Sequence, residues 1–214
     1  MILNEIFFSI QGEGLNIGVP AVFVRFGNCN LRCKWCDTKY AWSECKGNKN
    51  VPIARVIRAI KKYRQCKHLV ITGGEPMLQQ NAIKEIRRAF PNYYIEVETN
   101  GSIPVRCLKE VDLFNVSYKT KNSGNLPYEL KTINKKCVYK FVVATRHDFP
   151  EIEKVIKKYK LPARKVFFMP EGKTPAVILK KSPFIAEYCK RKGYNFTTRL
   201  QILIHGLDKK PRVL

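Results

Sequence analysis

Three cysteines in the run Gly27-Asn-Cys-Asn-Leu-Arg-Cys-Lys-Trp-Cys-Asp-Thr38 are spaced C-x-x-x-C-x-x-C. Thiolates are soft ligands that suit iron–sulfur clusters and zinc. Three sulfurs leave a four-coordinate site one ligand short, and an open position is where a metal centre does chemistry. Cys45 could close the set as a structural zinc loop. Zinc ligand pairs are also typically two to four residues apart, so spacing alone leaves both readings open. A second group, Leu69-Val-Ile-Thr-Gly-Gly-Glu-Pro76, is an apolar run that ends in a Gly pair, an acid and a proline. Glycines at a strand end let the backbone approach a ligand closely, although a plain β-to-α connection uses the same residues.

Both groups need elements to hold them. Strands are expected at Ala21–Phe26, Leu69–Thr72, Tyr94–Glu98, Leu113–Ser117, Val138–Val143, Val166–Met169 and Leu200–Ile204, all rich in apolar or β-branched residues. Helical stripes lie between them: Ile53, Val56, Ile57 and Ile60; Ile83, Ile86 and Phe90; Ile152, Val155, Ile156 and Tyr159; and the stretch Ala176–Lys192. Strand–helix alternation with short loops argues for α/β architecture and a parallel sheet. Right-handed crossovers curl such a sheet toward a barrel, with ligands at the C-terminal strand ends. The Cys loop, Gly73–Pro76 and Glu98-Thr-Asn-Gly101 each follow an expected strand.

With 214 residues, 45% of them hydrophobic, the chain is read as one domain, 1–214, with a sizeable core. No apolar run approaches the ~20 residues of a membrane span. Met1–Phe7 lacks the basic start and cleavage site of a signal peptide. Cys66, Cys107, Cys137 and Cys189 are scattered through apolar or helical segments and read as buried thiols, so a reducing cytoplasm is expected. Forty Lys and Arg against 17 Asp and Glu give a net charge of +23, which attracts polyanions. The basic residues are spread over nearly every helical stretch, whereas nucleic-acid modules gather them into a patch with exposed aromatics. A solvated basic surface is therefore preferred over a Cys-loop nucleic-acid module.

The Cys loop followed by Gly-Gly-Glu-Pro resembles the radical S-adenosylmethionine (SAM) superfamily. The segment Ile6-Phe-Phe-Ser-Ile-Gln-Gly-Glu-Gly14, with Gly18, Arg25, Cys36-Asp-Thr38, Ser117-x-Lys119 and Gln201-x-x-x-His205, is similar within it to the 7-carboxy-7-deazaguanine synthase family. The activases that install glycyl radicals on partner proteins carry comparable Cys loops but lack the short N-terminal loop and the Cys-Asp-Thr ending.

The resemblance implies an open, partial (βα)6 barrel of the radical SAM type, with helices open to trimming, an N-terminal substrate loop at 1–20 and a cluster loop at 27–38. It implies a [4Fe–4S] cluster on Cys29, Cys33 and Cys36, with SAM on the fourth iron, and Mg2+ at Thr38. SAM would meet Trp35, Cys36, Asp37, Gly73, Gly74, Glu75, Ser117, Tyr118, Lys119, Met169, Pro170, Glu171 and Gly172. The substrate, 6-carboxy-5,6,7,8-tetrahydropterin, would meet Ile10, Gln11, Gly12, Glu13, Arg25, Thr72 and His205. The implied reaction is a lyase-type ring contraction to 7-carboxy-7-deazaguanine and ammonia, on the way to queuosine or archaeosine. The 5′-deoxyadenosyl radical does the chemistry, so no protein residue is assigned as the catalyst. A flavodoxin- or ferredoxin-type electron donor and a homodimer are the implied partners, with no membrane and no specific nucleic acid.

Residue chemistry is compatible with these roles but leaves alternatives standing. Thr38 offers an oxygen ligand that suits Mg2+, or a helix N-cap. Gln11 and Glu13 can bond a pterin edge, or decorate a Gly-flanked turn. Arg25 interrupts an apolar strand and needs a bidentate anion, either the substrate carboxylate or a salt bridge within the protein. A lone histidine such as His205 is more often structural than catalytic, and His68 and His147 read as surface or strand-entry residues.

Overall fold

The computed structural model describes residues 1–206. The tail Pro211–Leu214 lies outside the described residues. Fourteen elements follow one another: β1 (Ile2–Ile10), β2 (Pro20–Phe26), β3 (Lys49–Asn50), α1 (Ile53–Ile60), β4 (His68–Gly73), α2 (Gln80–Ala89), β5 (Tyr94–Thr99), β6 (Leu113–Tyr118), β7 (Cys137–Val143), α3 (Phe149–Lys158), β8 (Val166–Pro170), α4 (Pro175–Lys192), β9 (Asn195–Phe196) and α5 (Leu200–His205).

All the strands join one sheet in the order β3-β1-β2-β4-β5-β6-β7-β8-β9. Every pairing from β2 to β9 is parallel, while β1 runs antiparallel to β2 and β3. The two edges do not meet, so β2 and β4–β8 form an open, partial barrel. Helices follow β2, β4, β7 and β8. Irregular chain follows β5, and only a short 3-10 turn at Lys121–Ser123 follows β6, which is the trimming that the resemblance allowed.

Strand residues alternate between two faces. Val22, Val24, Phe26, Ile71, Val97, Phe114, Val116, Phe141, Val143 and Phe168 belong to the main core, where they are joined by Val56, Ile60, Ile83, Ile86, Ile152 and Ile185 of the helices. The intervening residues look into the barrel. Phe7, Ala21, Phe23 and Val70 form a small apolar cluster there, and Leu113, Val138 and Phe167 form another. Arg25, Thr72, Glu96, Glu98, Asn115, Ser117 and Lys140 share that face and make it polar.

Two expectations are corrected. Leu200–Ile204 is helical, within α5, and only Ile202 of it is buried. A short apolar run does not distinguish strand from helix, and the sheet edge beside β8 is taken by β9. Residues 1–20 are not all loop: Ile2–Ile10 pairs along β2 from Leu3↔Phe26 to Ile10↔Pro20. Only Ile6 and Phe7 of this strand are buried, so its alternation is weak in the sequence.

Phe168 is fully buried and packs its ring among Phe141, Phe149, Tyr188 and Tyr194, at centroid separations of 5.1–6.1 Å. Phe168→Ala should cost about 3–5 kcal/mol of unfolding free energy in urea titration. A loss below about 1 kcal/mol would mean that α3 and α4 do not depend on this ring cluster.

Candidate active site

The Cys loop leaves β2 through Asn28, whose φ of 73° turns the chain sharply. Gly74 packs against that turn so closely that a Cβ would lie 2.2 Å from the Asn28 carbonyl oxygen. The amide of Glu75 donates to the same oxygen at 2.8 Å. The Glu75 carboxylate is fully buried and accepts from the Met77 amide (2.9 Å), the Thr99 hydroxyl (2.8 Å) and the Asn100 amide (2.7 Å). Burial pushes its pKa up. Glu75 thus ties the ends of β4 and β5 together beneath the Cys loop, and its carboxylate is committed to the protein.

Cys33 is buried, Cys29 and Cys36 are partly exposed, and none of the eight cysteines is in a disulfide. Burial pushes the Cys29 thiol up to about 11 and also raises Cys33, whose sulfur accepts from the Asn125 amide at 3.1 Å. Among the described residues, no three Cys, His, Asp or Glu side chains converge as a formed metal site. The donor set is still chemically suited to an iron–sulfur cluster, with three thiols on one loop. Cys45 is engaged elsewhere, donating to the Lys39 carbonyl at 3.0 Å. Thr38 makes no side-chain cap, and its hydroxyl lies 3.6 Å from the Cys36 sulfur.

Beside the loop, Lys119 Nζ donates to Ser117 Oγ at 2.6 Å and sits 5.5 Å from the centre of the Trp35 ring. These three residues do converge. Tyr118 turns the other way, into the core, and donates to the Tyr128 carbonyl at 2.9 Å. Its side chain is thereby withdrawn from the implied SAM set. Met169 and Pro170 are buried at the end of β8, Glu171 pairs with Lys181 at 2.6 Å, and the Gly172 carbonyl accepts from Arg199 Nη1 at 2.6 Å.

The barrel interior holds a network of charged and amide groups. Lys140 Nζ, almost wholly buried, contacts Glu13 at 2.5 Å and Glu98 at 3.0 Å. Asn115 Nδ2 bridges Glu96 (2.9 Å) and Glu98 (3.0 Å), and Gln11 Nε2 reaches the same two carboxylates at 2.6 and 3.2 Å. Glu96 also accepts from Asn16 at 2.7 Å and meets His68 Nε2 at 3.1 Å. His68 opens β4, in keeping with the strand-entry reading, and is a buried partner, whereas His147 is exposed at the surface.

Glu13 contacts Arg199 at 3.3 Å and Gln201 at 2.8 Å, and Arg199 also pairs with Asp37 of the Cys loop. Burial pushes Glu13 upward, but Lys140 and Arg199 outweigh it and hold the carboxylate at about 2. Gly12 lies against Gln201, whose Oε1 would stand 1.8 Å from a Cβ there. Ile10 ends β1, and Thr72 lies opposite Arg25 in register. Arg25 Nε bonds Glu5 at 2.7 Å, so the salt bridge within the protein is present. His205, one turn beyond Gln201, is exposed.

Glu96, Asn115, Lys140 and Arg199 were missed by the sequence reading. The signal for Glu96 and Asn115 is a polar residue at every second position, in Tyr-Ile-Glu-Val-Glu-Thr and Leu-Phe-Asn-Val-Ser-Tyr, and for Lys140 a single charge inside the apolar run Cys-Val-Tyr-Lys-Phe-Val-Val. Arg199 lies between β9 and α5 and carries no such signal.

A parallel, partial barrel with a three-cysteine loop after its first barrel strand and a Gly-Gly-Glu-Pro turn after the next defines a radical SAM domain. Residues 23–170 match the radical SAM superfamily. Curated 7-carboxy-7-deazaguanine synthases are similar over nearly the whole chain: that of Pyrobaculum aerophilum is 35% identical, covering 94% of this chain and 93% of its own, and that of Clostridium acetobutylicum is 32% identical, covering 97% and 95%. The crystal structure of QueE from Escherichia coli superposes with a TM-score of 0.74 at 21% identity, covering 93% of each chain. Streptococcus suis SuiB bound to its precursor peptide SuiA shares the fold more loosely, with a TM-score of 0.57 at 16% identity over 82% of this chain and 48% of its own. The chain belongs to the 7-carboxy-7-deazaguanine synthase family of radical SAM enzymes, and membership implies a [4Fe–4S] cluster and SAM.

Glu98 generates a pH prediction. Burial pushes it up to about 7, the neighbouring Glu96 and Glu13 carboxylates add to this, and Lys140 opposes it. A carboxyl raised on folding contributes stability that is complete below its ordinary 4.5 and is lost as pH rises through about 7. Glu98→Gln should therefore flatten the fall in unfolding free energy of the metal-free chain between pH 5 and 8, by on the order of 2 kcal/mol. Parallel curves for parent and variant would show that Glu98 is ionised throughout.

Proposed function

We propose that this chain is a lyase that contracts 6-carboxy-5,6,7,8-tetrahydropterin to 7-carboxy-7-deazaguanine with release of ammonia, in 7-deazapurine biosynthesis leading to queuosine or archaeosine. The observation that carries the reading is convergence: the segment Gln11–Glu13, the Cys loop and the polar barrel interior meet through Glu13, Arg199 and Asp37. Similarity to the relatives includes the N-terminal segment, which favours a small substrate over an activase's protein partner.

Cys29, Cys33 and Cys36 would hold the cluster, which with SAM supplies a 5′-deoxyadenosyl radical at the C-terminal strand ends. The protein's part is positioning and electrostatics. Lys119, Ser117 and Trp35 would receive the SAM carboxylate and nucleoside, with the Gly73-Gly74 backbone facing its amino group. Inside the barrel, Gln11, Glu13 and Glu98 present an amide and carboxylates to the donor–acceptor edge of the pterin. Arg25 bonds Glu5 through Nε and would offer its terminal nitrogens to the substrate carboxylate, while Thr38 would supply an oxygen to Mg2+. The electron donor, the homodimer and a cytoplasmic setting complete the proposal. Eight unpaired thiols agree with a reducing compartment.

Anaerobic reconstitution followed by assay on the carboxytetrahydropterin tests the function. About four irons per chain and formation of the deazaguanine are expected, with Cys33→Ala losing SAM cleavage and Cys45→Ala keeping it. Equal iron loss in both variants would mean a four-cysteine site. Thr38→Val keeps the side-chain shape and removes the oxygen, so Mg2+ stimulation should disappear while cluster assembly stays normal. An unaltered Mg2+ response would leave Thr38 as a loop residue only.

A further inference from the structure

Arg199 is only 7% exposed, and its guanidinium binds three separate segments. Nε donates to Glu13, Nη1 donates to the Gly172 carbonyl, and Nη2 pairs with Asp37. Glu13 belongs to the segment read as holding substrate, Asp37 directly follows the last cysteine of the Cys loop, and Gly172 follows β8 where the nucleoside is expected. No backbone hydrogen bond of the sheet links these three segments directly. A planar guanidinium has its donors in a fixed fork, so a partner at each nitrogen is held at a set angle to the others. The ammonium of Lys140 adds a second constraint, fixing the other oxygen of Glu13 at 2.5 Å.

We propose that Arg199 is a positioning residue that couples the substrate segment to the Cys loop, setting the place of the one relative to the other. Displacing Glu13 shifts the guanidinium, and the guanidinium carries Asp37 with it. The proposal deepens the functional reading above and rests on it for the names of the two segments, but the mechanical coupling is a property of the folded chain alone. The gain is geometric: a radical generated at one segment must meet a hydrogen held by the other, and small misplacements of reacting atoms cost large factors in rate.

The first test uses the metal-free chain and hydrogen exchange. Asp37 is the outermost partner, with 29% of its side chain exposed, so Asp37→Asn cuts one arm with little risk to folding. Exchange should quicken about fivefold or more at both ends: at the Ala41 amide, bonded to Thr38, and at the Gly14 amide, bonded to Thr197. Faster exchange confined to residues 28–41 would overturn the coupling. The second test uses reconstituted protein and the ratio of 5′-deoxyadenosine released to deazaguanine formed. Arg199→Lys keeps the charge and loses the fork, so this ratio should rise about tenfold while cluster content is unchanged. A proportionate fall of both products would assign Arg199 to fold maintenance and sink the positioning role. If the parent makes no deazaguanine, the functional reading fails, and the exchange experiment still decides whether Arg199 joins the two segments.

Discussion

A single ammonium sets the terms of the interior. Lys140 lies on the concave face of β7 with 3% of its side chain exposed, where an unpaired charge is very costly. It therefore requires carboxylates, and it recruits them from distant places: Glu98 from two strands away and Glu13 from the N-terminal segment. Glu13 in turn draws in Arg199 and Gln201, and Glu98 shares its amide donors with Glu96. The segment after β1 enters the barrel because that is where its acid finds two cations. A well-packed apolar interior would be as stable; the polar one can dispense hydrogen bonds to a polar heterocycle.

Glu75 plays a similar part at the rim. Its carboxylate is spent on two amides and a hydroxyl, so what the Gly-Gly-Glu-Pro turn presents outward is backbone. The Cys loop rests on this turn through the Asn28 carbonyl. Cysteine loop and turn are thus packed as one construction, joined at the Asn28 carbonyl.

The barrel was legible in the sequence because its convex face is apolar and its helices carry 3.6-residue stripes. The cysteine loop was legible because its ligands are local. Lys140, Asn115 and Glu96 were hidden by the same property that exposed their strands: each is a polar residue inside a run that reads as core. Period-2 alternation is present in β5 and β6 and marks the concave face. Arg199 was invisible, because its three partners are scattered from Glu13 to Gly172 and no local pattern encodes that meeting. β1 escaped notice because it extends the sheet beyond the barrel and buries only Ile6 and Phe7. Leu200–Ile204 misled because a short apolar run fits either element.

The contact between Gly12 and Gln201 has a bearing on how the chain is made. Glu13 and Gln201 are 188 residues apart, and Glu13 and Arg199 are 186. A ribosome releasing ~5–20 residues per second needs on the order of ten seconds or more to deliver the second half of these pairs. Until then the barrel strands can pair while the N-terminal segment waits with an acid and an amide that have only part of their company. The stretch that seals the interior, Arg199 to Gln201, emerges after every strand of the barrel. Synthesis thus supplies the whole barrel before it supplies the residues that complete the site.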